Sequence, residues 1–215
     1  MMRHIALLFL LAVGLAGCES QAVREEKAVK KIEGLGGYVE RDEKTPGQPI
    51  VEVDLNFSNV TDSDLKSLQE MKSLRHLLLI DTHITDAGVR NIKKLVCLRT
   101  LDLNDTQITD AGLKELKALE NMRMLYLSRT LVSDVGMKTI KRFKELRRLQ
   151  LDETQITDAG IKELKELKGL QSLSLNKTHI TDAVLKELQE FKNLKWLRLS
   201  GTQITNAGLK NLKAL

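Results

Sequence analysis

From Ile50 onward the chain carries one pattern of apolar and polar positions that returns every 24 residues. Units begin at Ile50, Leu74, Leu98, Met122, Leu146, Leu170 and Leu194. Three residues later come Val53, Leu77, Leu101, Leu125, Leu149, Leu173 and Leu197, and two further on Leu55, Leu79, Leu103, Leu127, Leu151, Leu175 and Leu199. Side chains alternate across a strand, so this spacing predicts a short strand at the head of each unit with its leucines facing inward. A hydroxyl column follows, Ser58, Thr82, Thr106, Thr130, Thr154, Thr178 and Thr202, and then a β-branched column from Val60 and Ile84 to Ile204. The hydroxyl of Thr154 is placed to satisfy buried backbone groups in the turn after the strand. The second half of a unit reads Thr-Asp-Ala-Gly-Leu-Lys-Glu-Leu, clearest at residues 109–116, and predicts a short helix. Thr157 would cap such a helix, Asp158 would lie in its positively polarised first turn, and Ile161, Leu164 and Leu167 would pack it back onto the strands. Gly88, Gly112, Gly136, Gly160 and Gly208 would allow close backbone approach, and Val184 breaks their column, so a local adjustment is expected there.

Residues 18–49 follow a different pattern. Val29 and Ile32 lie on one face of a predicted helix over residues 22–33, with Glu25 and Glu26 early and Lys30 and Lys31 late, as the helix dipole favours. Gly34, Gly36 and Gly37 end it. A short strand over residues 38–41, a turn at Thr45-Pro46-Gly47 and a second strand from Ile50 complete a helix and hairpin that would cover the open end of the stack.

With these columns in place, the chain resembles the leucine-rich repeat family, whose pattern is Leu-x-x-Leu-x-Leu-x-x-Asn/Cys-x-Leu at a period of ~20–29 residues. The resemblance covers residues 50–215 as seven units; the Asn/Cys position is Thr here, and the Ile-Thr-Asp-Ala-Gly-Leu half is similar to the cysteine-containing subclass and to bacterial repeats. It implies an α/β fold: a right-handed leucine-rich-repeat solenoid with a parallel concave sheet and convex helices. The seventh unit reaches Leu215, and Leu199, Ile204, Leu209 and Leu212 are expected to be only partly covered, favouring weak self-association or a loosely ordered last repeat.

Residues 1–17 read as a signal peptide: a basic start, an apolar run from Ile5 to Leu15, and small residues before Cys18. The run is shorter than the ~20 residues that span a bilayer. Leu15-Ala16-Gly17-Cys18 resembles the lipobox of bacterial lipoproteins, which implies cleavage before Cys18, acylation of its thiol, and anchoring to an envelope membrane with the mature domain outside the cytoplasm. Glu19 is not the aspartate that retains some lipoproteins at the inner membrane, which points to the outer one.

Composition narrows the function further. The formal net charge of +5 is spread along the chain among abundant acids, which does not support nucleic acid as a partner. Two cysteines exclude a disulfide scaffold and a zinc cluster, and four histidines leave little for metal chemistry. His83 and His179 share a column four repeats apart, ~19 Å at strand spacing, too far to share a metal. Cys97 reads as an incidental loop thiol. Asp86, Asp110, Asp134, Asp158 and Asp182 read as helix-start residues rather than a catalytic array. No catalytic residue, cofactor or metal is expected.

Two basic surfaces remain. Lys114, Lys117, Lys138, Lys141, Lys162 and Lys165 mark the helices, interleaved with Glu115, Glu163 and Glu187. Arg75, Arg99, Arg123, Arg147 and Lys195 precede the strands and carry one sign only; they would line one rim of the arc and meet an acidic ligand, or simply reflect repeat duplication. The outward strand positions are read as those the fold does not dictate. Among them Met124 and Tyr126, with Arg129 and Arg148 near, form one amphipathic cluster, and Trp196 with Arg198 a second, of the kind enriched at interfaces. The favoured function is a non-catalytic, lipid-anchored envelope module that recognises a protein or an envelope polymer with its concave face. The alternative is a structural envelope lipoprotein that self-associates through the end of its stack.

Overall fold

The computed structural model describes residues 20–210. The signal segment and Cys18 at one end, and Leu212 and Leu215 at the other, lie outside the described residues. Helix α1 (Gln21–Gly34) starts where the Ser20 hydroxyl accepts the Val23 N–H, and ends at Leu35, followed by Gly36 with φ +82°. It buries Ala28, Val29 and Ile32 against the helical segment of the first repeat. Ion pairs lock this cover in place: Arg24–Glu70 at 2.9 Å and Lys31–Asp64 at 2.9 Å. Strand β1 (Tyr38–Arg41) pairs antiparallel with β2 (Ile50–Asp54).

Six further strands follow: β3 (His76–Leu78), β4 (Thr100–Asp102), β5 (Met124–Tyr126), β6 (Arg148–Gln150), β7 (Ser172–Ser174) and β8 (Trp196–Arg198). They add in parallel and in sequence order to one eight-stranded sheet, with each residue facing the residue 24 positions on. The helices return the chain: α2 (Asp86–Ile92), α3 (Asp110–Glu115), α4 (Asp134–Ile140), α5 (Asp158–Glu163), α6 (Leu185–Leu188) and α7 (Asn206–Leu209). One hydrophobic core runs the length of the stack, with Leu77, Leu79, Leu101, Leu103, Ile161, Leu164 and Leu167 fully buried. Each such leucine contributes ~1.5–3 kcal/mol by burial. Near the last strand Leu197, Leu199 and Ile204 are partly buried and Leu209 is exposed.

The polar columns act as predicted, and the aspartates do more. In every repeat the column hydroxyl donates to the carbonyl three residues back, as Thr154 Oγ1 does to Leu151 O at 2.6 Å. The Thr157 hydroxyl accepts the Ala159 N–H at the start of α5. The aspartates read as helix-start residues do sit there, but their carboxylates reach into the next repeat. Asp134 accepts the Thr157 N–H at 2.9 Å and the Thr157 hydroxyl at 2.6 Å, and Asp62, Asp86, Asp110, Asp158 and Asp182 repeat the clasp. The cap threonine thus donates to the repeat before it and accepts from its own helix. This clasp explains the glycine column better than backbone approach does: a Cβ at Gly160 would lie 2.3 Å from Asp134 Oδ1. Where Val184 breaks that column, the helix opens with a 3-10 turn (Asp182–Val184) before α6, while the clasp from Asp158 to Thr181 stays closed.

Candidate binding face

The sheet presents three outward columns. The first runs Glu52, His76, Thr100, Met124, Arg148, Ser172, Trp196; the second Asp54, Leu78, Asp102, Tyr126, Gln150, Ser174, Arg198. The third lies just beyond the strands and is not free of the fold. Asn56 Oδ1 accepts the Ile80 N–H, Asn104 Oδ1 the Ser128 N–H, Asp152 Oδ1 the Asn176 N–H, and Asn176 Oδ1 the Ser200 N–H. Side chains here continue the ladder where strand pairing stops, so the expectation that the fold leaves all outward positions open fails for this column. Thr100, Asp102, Ser128 and Ser174 are buried as well.

Of the six candidate partner-binding residues, three form one contact set. The Tyr126 hydroxyl donates to Met124 Sδ at 3.5 Å and accepts from Arg148 Nη1 at 3.3 Å, which ties β5 to β6. Met124 and Tyr126 are half-buried and Arg148 is exposed. Trp196 and Arg198 share the outward side of β8 but stand three strands away from β5, and Trp196 is 70% exposed. Both lie on the same face as Tyr126 without joining its cluster.

Arg129 belongs elsewhere. It occupies the turn after β5 with φ +55°, in a column of left-handed residues that includes Asp81, Asp105, Glu153 and Lys177. Its guanidinium grips Asp105 and lies 4.0 Å from Glu153, which also takes Lys177 at 3.0 Å. The Asp105 carboxylate, foremost among its neighbours, raises the Arg129 pKa further above its usual value. Arg129 is therefore engaged along the exit rim, not aimed at the Tyr126 cluster. Tyr126 ends β5, and Arg129, three residues on, lies in the turn that leaves the sheet.

One residue that the sequence did not single out lies at the centre of the face. Asp102, 7% exposed, sits between Leu78 and Tyr126 in its column, and its carboxylate accepts the Asn104 N–H at 3.0 Å. Burial pushes its pKa up to about 6, aided by the charges of Asp105 and Asp54. An aspartate placed between Leu78 and Tyr126, both apolar or aromatic, was the available signal. His76 Nδ1 bonds the Thr100 hydroxyl at 2.9 Å. Among the described residues no cluster of His, Cys, Asp or Glu could hold a metal, and no helix is long and apolar enough to cross a membrane.

On the convex side some of the cations pair with glutamates: Lys141 with Glu163 at 2.8 Å and Lys162 with Glu187 at 3.9 Å, and Arg90 and Lys93 with Glu115. A groove there is lined by both signs, including Lys141, Lys144 and Lys162 with Glu120, Glu163 and Glu166.

A comparison with curated proteins gives no match. Among solved structures, an internalin C2 from Listeria monocytogenes str. 4b F2365 is similar with a TM-score of 0.61 and 24% identity, over 95% of this chain and 97% of that one. An internalin (inlF) from the same strain gives a TM-score of 0.47 and 21% identity, over 73% of this chain and 56% of that one. The first likeness shows a shared fold. A family profile described as leucine-rich repeat region matches residues 50–215, a span that contains the recurring columns, clasps and parallel strands. The chain belongs to the leucine-rich repeat family.

Proposed function

We propose that the chain is a non-catalytic binding module, held to a bacterial envelope membrane by lipid on Cys18, whose concave sheet face holds a protein partner. The observation that carries the docking face is the Met124–Tyr126–Arg148 set. It places a partly exposed aromatic ring between a thioether and a guanidinium, at positions where the core needs none of them. Aromatic and arginine side chains of this kind dominate the energy of protein interfaces. Trp196, on the same face, extends the surface toward β8. The anchor rests on Leu15-Ala16-Gly17-Cys18 after the apolar run, and the outer membrane is its expected place.

A photocrosslinking residue placed at position 126, 196 or 162 in the source cells tests the docking face. Positions 126 and 196 should yield one shared partner band and position 162, on the convex side, none. Equal bands from all three would remove the concave-face reading, and adducts between copies of this chain alone would replace it with the self-associating envelope lipoprotein. Tyr126→Ala should weaken binding of the partner so found by ~2 kcal/mol. Cys18→Ala should abolish incorporation of a fatty-acid probe; labelling that persists in the variant would remove the anchor.

A further inference from the structure

Each strand is entered through a residue at the edge of the sheet, and from the second repeat these are Arg75, Arg99, Arg123, Arg147, Gln171 and Lys195. Their backbones are bonded one to the next. Arg99 N–H donates to Arg75 O, Arg123 N–H to Arg99 O and Arg147 N–H to Arg123 O, each at 2.8 Å. The arginines are therefore held in register at the strand spacing of ~4.7–4.9 Å. Arg75 lies 3.5 Å from Asp42 of the hairpin. Arg99, Arg123 and Arg147 are exposed, and among the described residues no carboxylate lies within ion-pair distance of them. Like charges in register on neighbouring strands repel. At the opposite rim Asp105, Arg129, Glu153 and Lys177 hold the same register with alternating signs that do pair.

We propose that this entry rim, from Arg99 to Arg148, is a docking strip for an acidic segment of the protein partner. The inference rests on the concave-face reading and assigns the partner's chemistry. Arg147 is followed at once by Arg148, whose guanidinium reaches the Tyr126 hydroxyl, so the unpaired cations run directly into the apolar surface of Tyr126 and Met124. A segment that alternates carboxylates with apolar side chains uses both parts: guanidinium forks match carboxylates two bonds at a time, and the apolar groups settle on the ring and thioether. A bare phosphate polymer uses only the first. The single-sign rim also steers an acidic partner toward the face as it approaches.

The test measures binding of a fluorescein-labelled peptide of Glu with interspersed Leu to the full chain at low salt, with inorganic polyphosphate as competitor. The native chain should bind the peptide, with affinity falling as salt rises. Arg123→Gln with Arg147→Gln should lower affinity about tenfold with no fall in the unfolding midpoint. Lys141→Gln with Lys162→Gln should change it less than about twofold, since those cations already have partners. Absence of peptide binding, equal losses from both pairs, or polyphosphate binding tighter than the peptide would overturn the proposal. Photocrosslinks from position 126 that persist at full yield in the double arginine variant would overturn the strip and leave the concave-face reading standing. Loss of those crosslinks in the otherwise native chain would overturn the reading itself.

Discussion

The two rims of the sheet solve the same electrostatic problem in opposite ways. At the exit rim, Asp105, Arg129, Glu153 and Lys177 stack in consecutive repeats with alternating sign, and neighbours pair along the row. At the entry rim, Arg99, Arg123 and Arg147 stack with one sign, and the described residues supply them no counter-charge. In the sheet of a solenoid every column is a row of side chains ~4.7–4.9 Å apart. A charged column must then alternate, find acids in a neighbouring column, or keep its repulsion until something else neutralises it. On the convex side Lys141 and Lys162 take the second route, through Glu163 and Glu187. A count of charges would treat all three surfaces alike; their pairing separates them.

That comparison rests on a rigid frame, and the largest expected effect comes from loosening it beside the exit rim. Thr154→Val keeps the shape but removes the buried bond to Leu151 O, and should cost ~1–3 kcal/mol in denaturant unfolding. An unchanged midpoint would mean that the turn column does not hold this rim in place.

Between the rims, Asp102 should show the opposite sign. Its folded pKa of about 6 exceeds the ordinary value of 3.8, so folding takes up a proton between those pH values. Its contribution is neutral below the ordinary value and becomes a penalty as pH rises, complete above about 6. Asp102→Asn keeps an acceptor for Asn104 and should stabilise the chain by ~1–2 kcal/mol at neutral pH, part of the shift being screened by solvent at the face. The gain should vanish in acid. A gain that is the same at every pH would mean that charge is not its cause.

The smallest effects separate the rims most sharply. Arg129→Glu sets like charges beside Asp105 and Glu153 and should cost ~0.5–1 kcal/mol at low salt. Arg147→Glu places an acid beside Arg123 and should instead stabilise the fold by ~0.2–0.5 kcal/mol. Thermal unfolding at low and high salt reads both, and both should fade with screening. The same sign for the two reversals would erase the distinction drawn between the rims.

The sequence by itself determined the repeating features whose partners lie within one unit. Inward leucines, the Thr154 column, the Thr157 caps and the helix and hairpin over the first repeat are local patterns, each readable from spacing within one unit. The break at Val184 was legible for the same reason, and it appears as a 3-10 turn. The tertiary structure decided what lies between units. It showed that Asp134 clasps Thr157 rather than only opening a helix, that Arg129 turns to Asp105 and away from Tyr126, and that Arg148 reaches Tyr126. It also buried Asp102 and committed Asn104 and Asp152 to the neighbouring strand. Periodicity fixes which column a side chain occupies. Which carboxylate meets which cation depends on distances across the stack, between residues a full repeat apart, and those distances exist only once the units are packed in register.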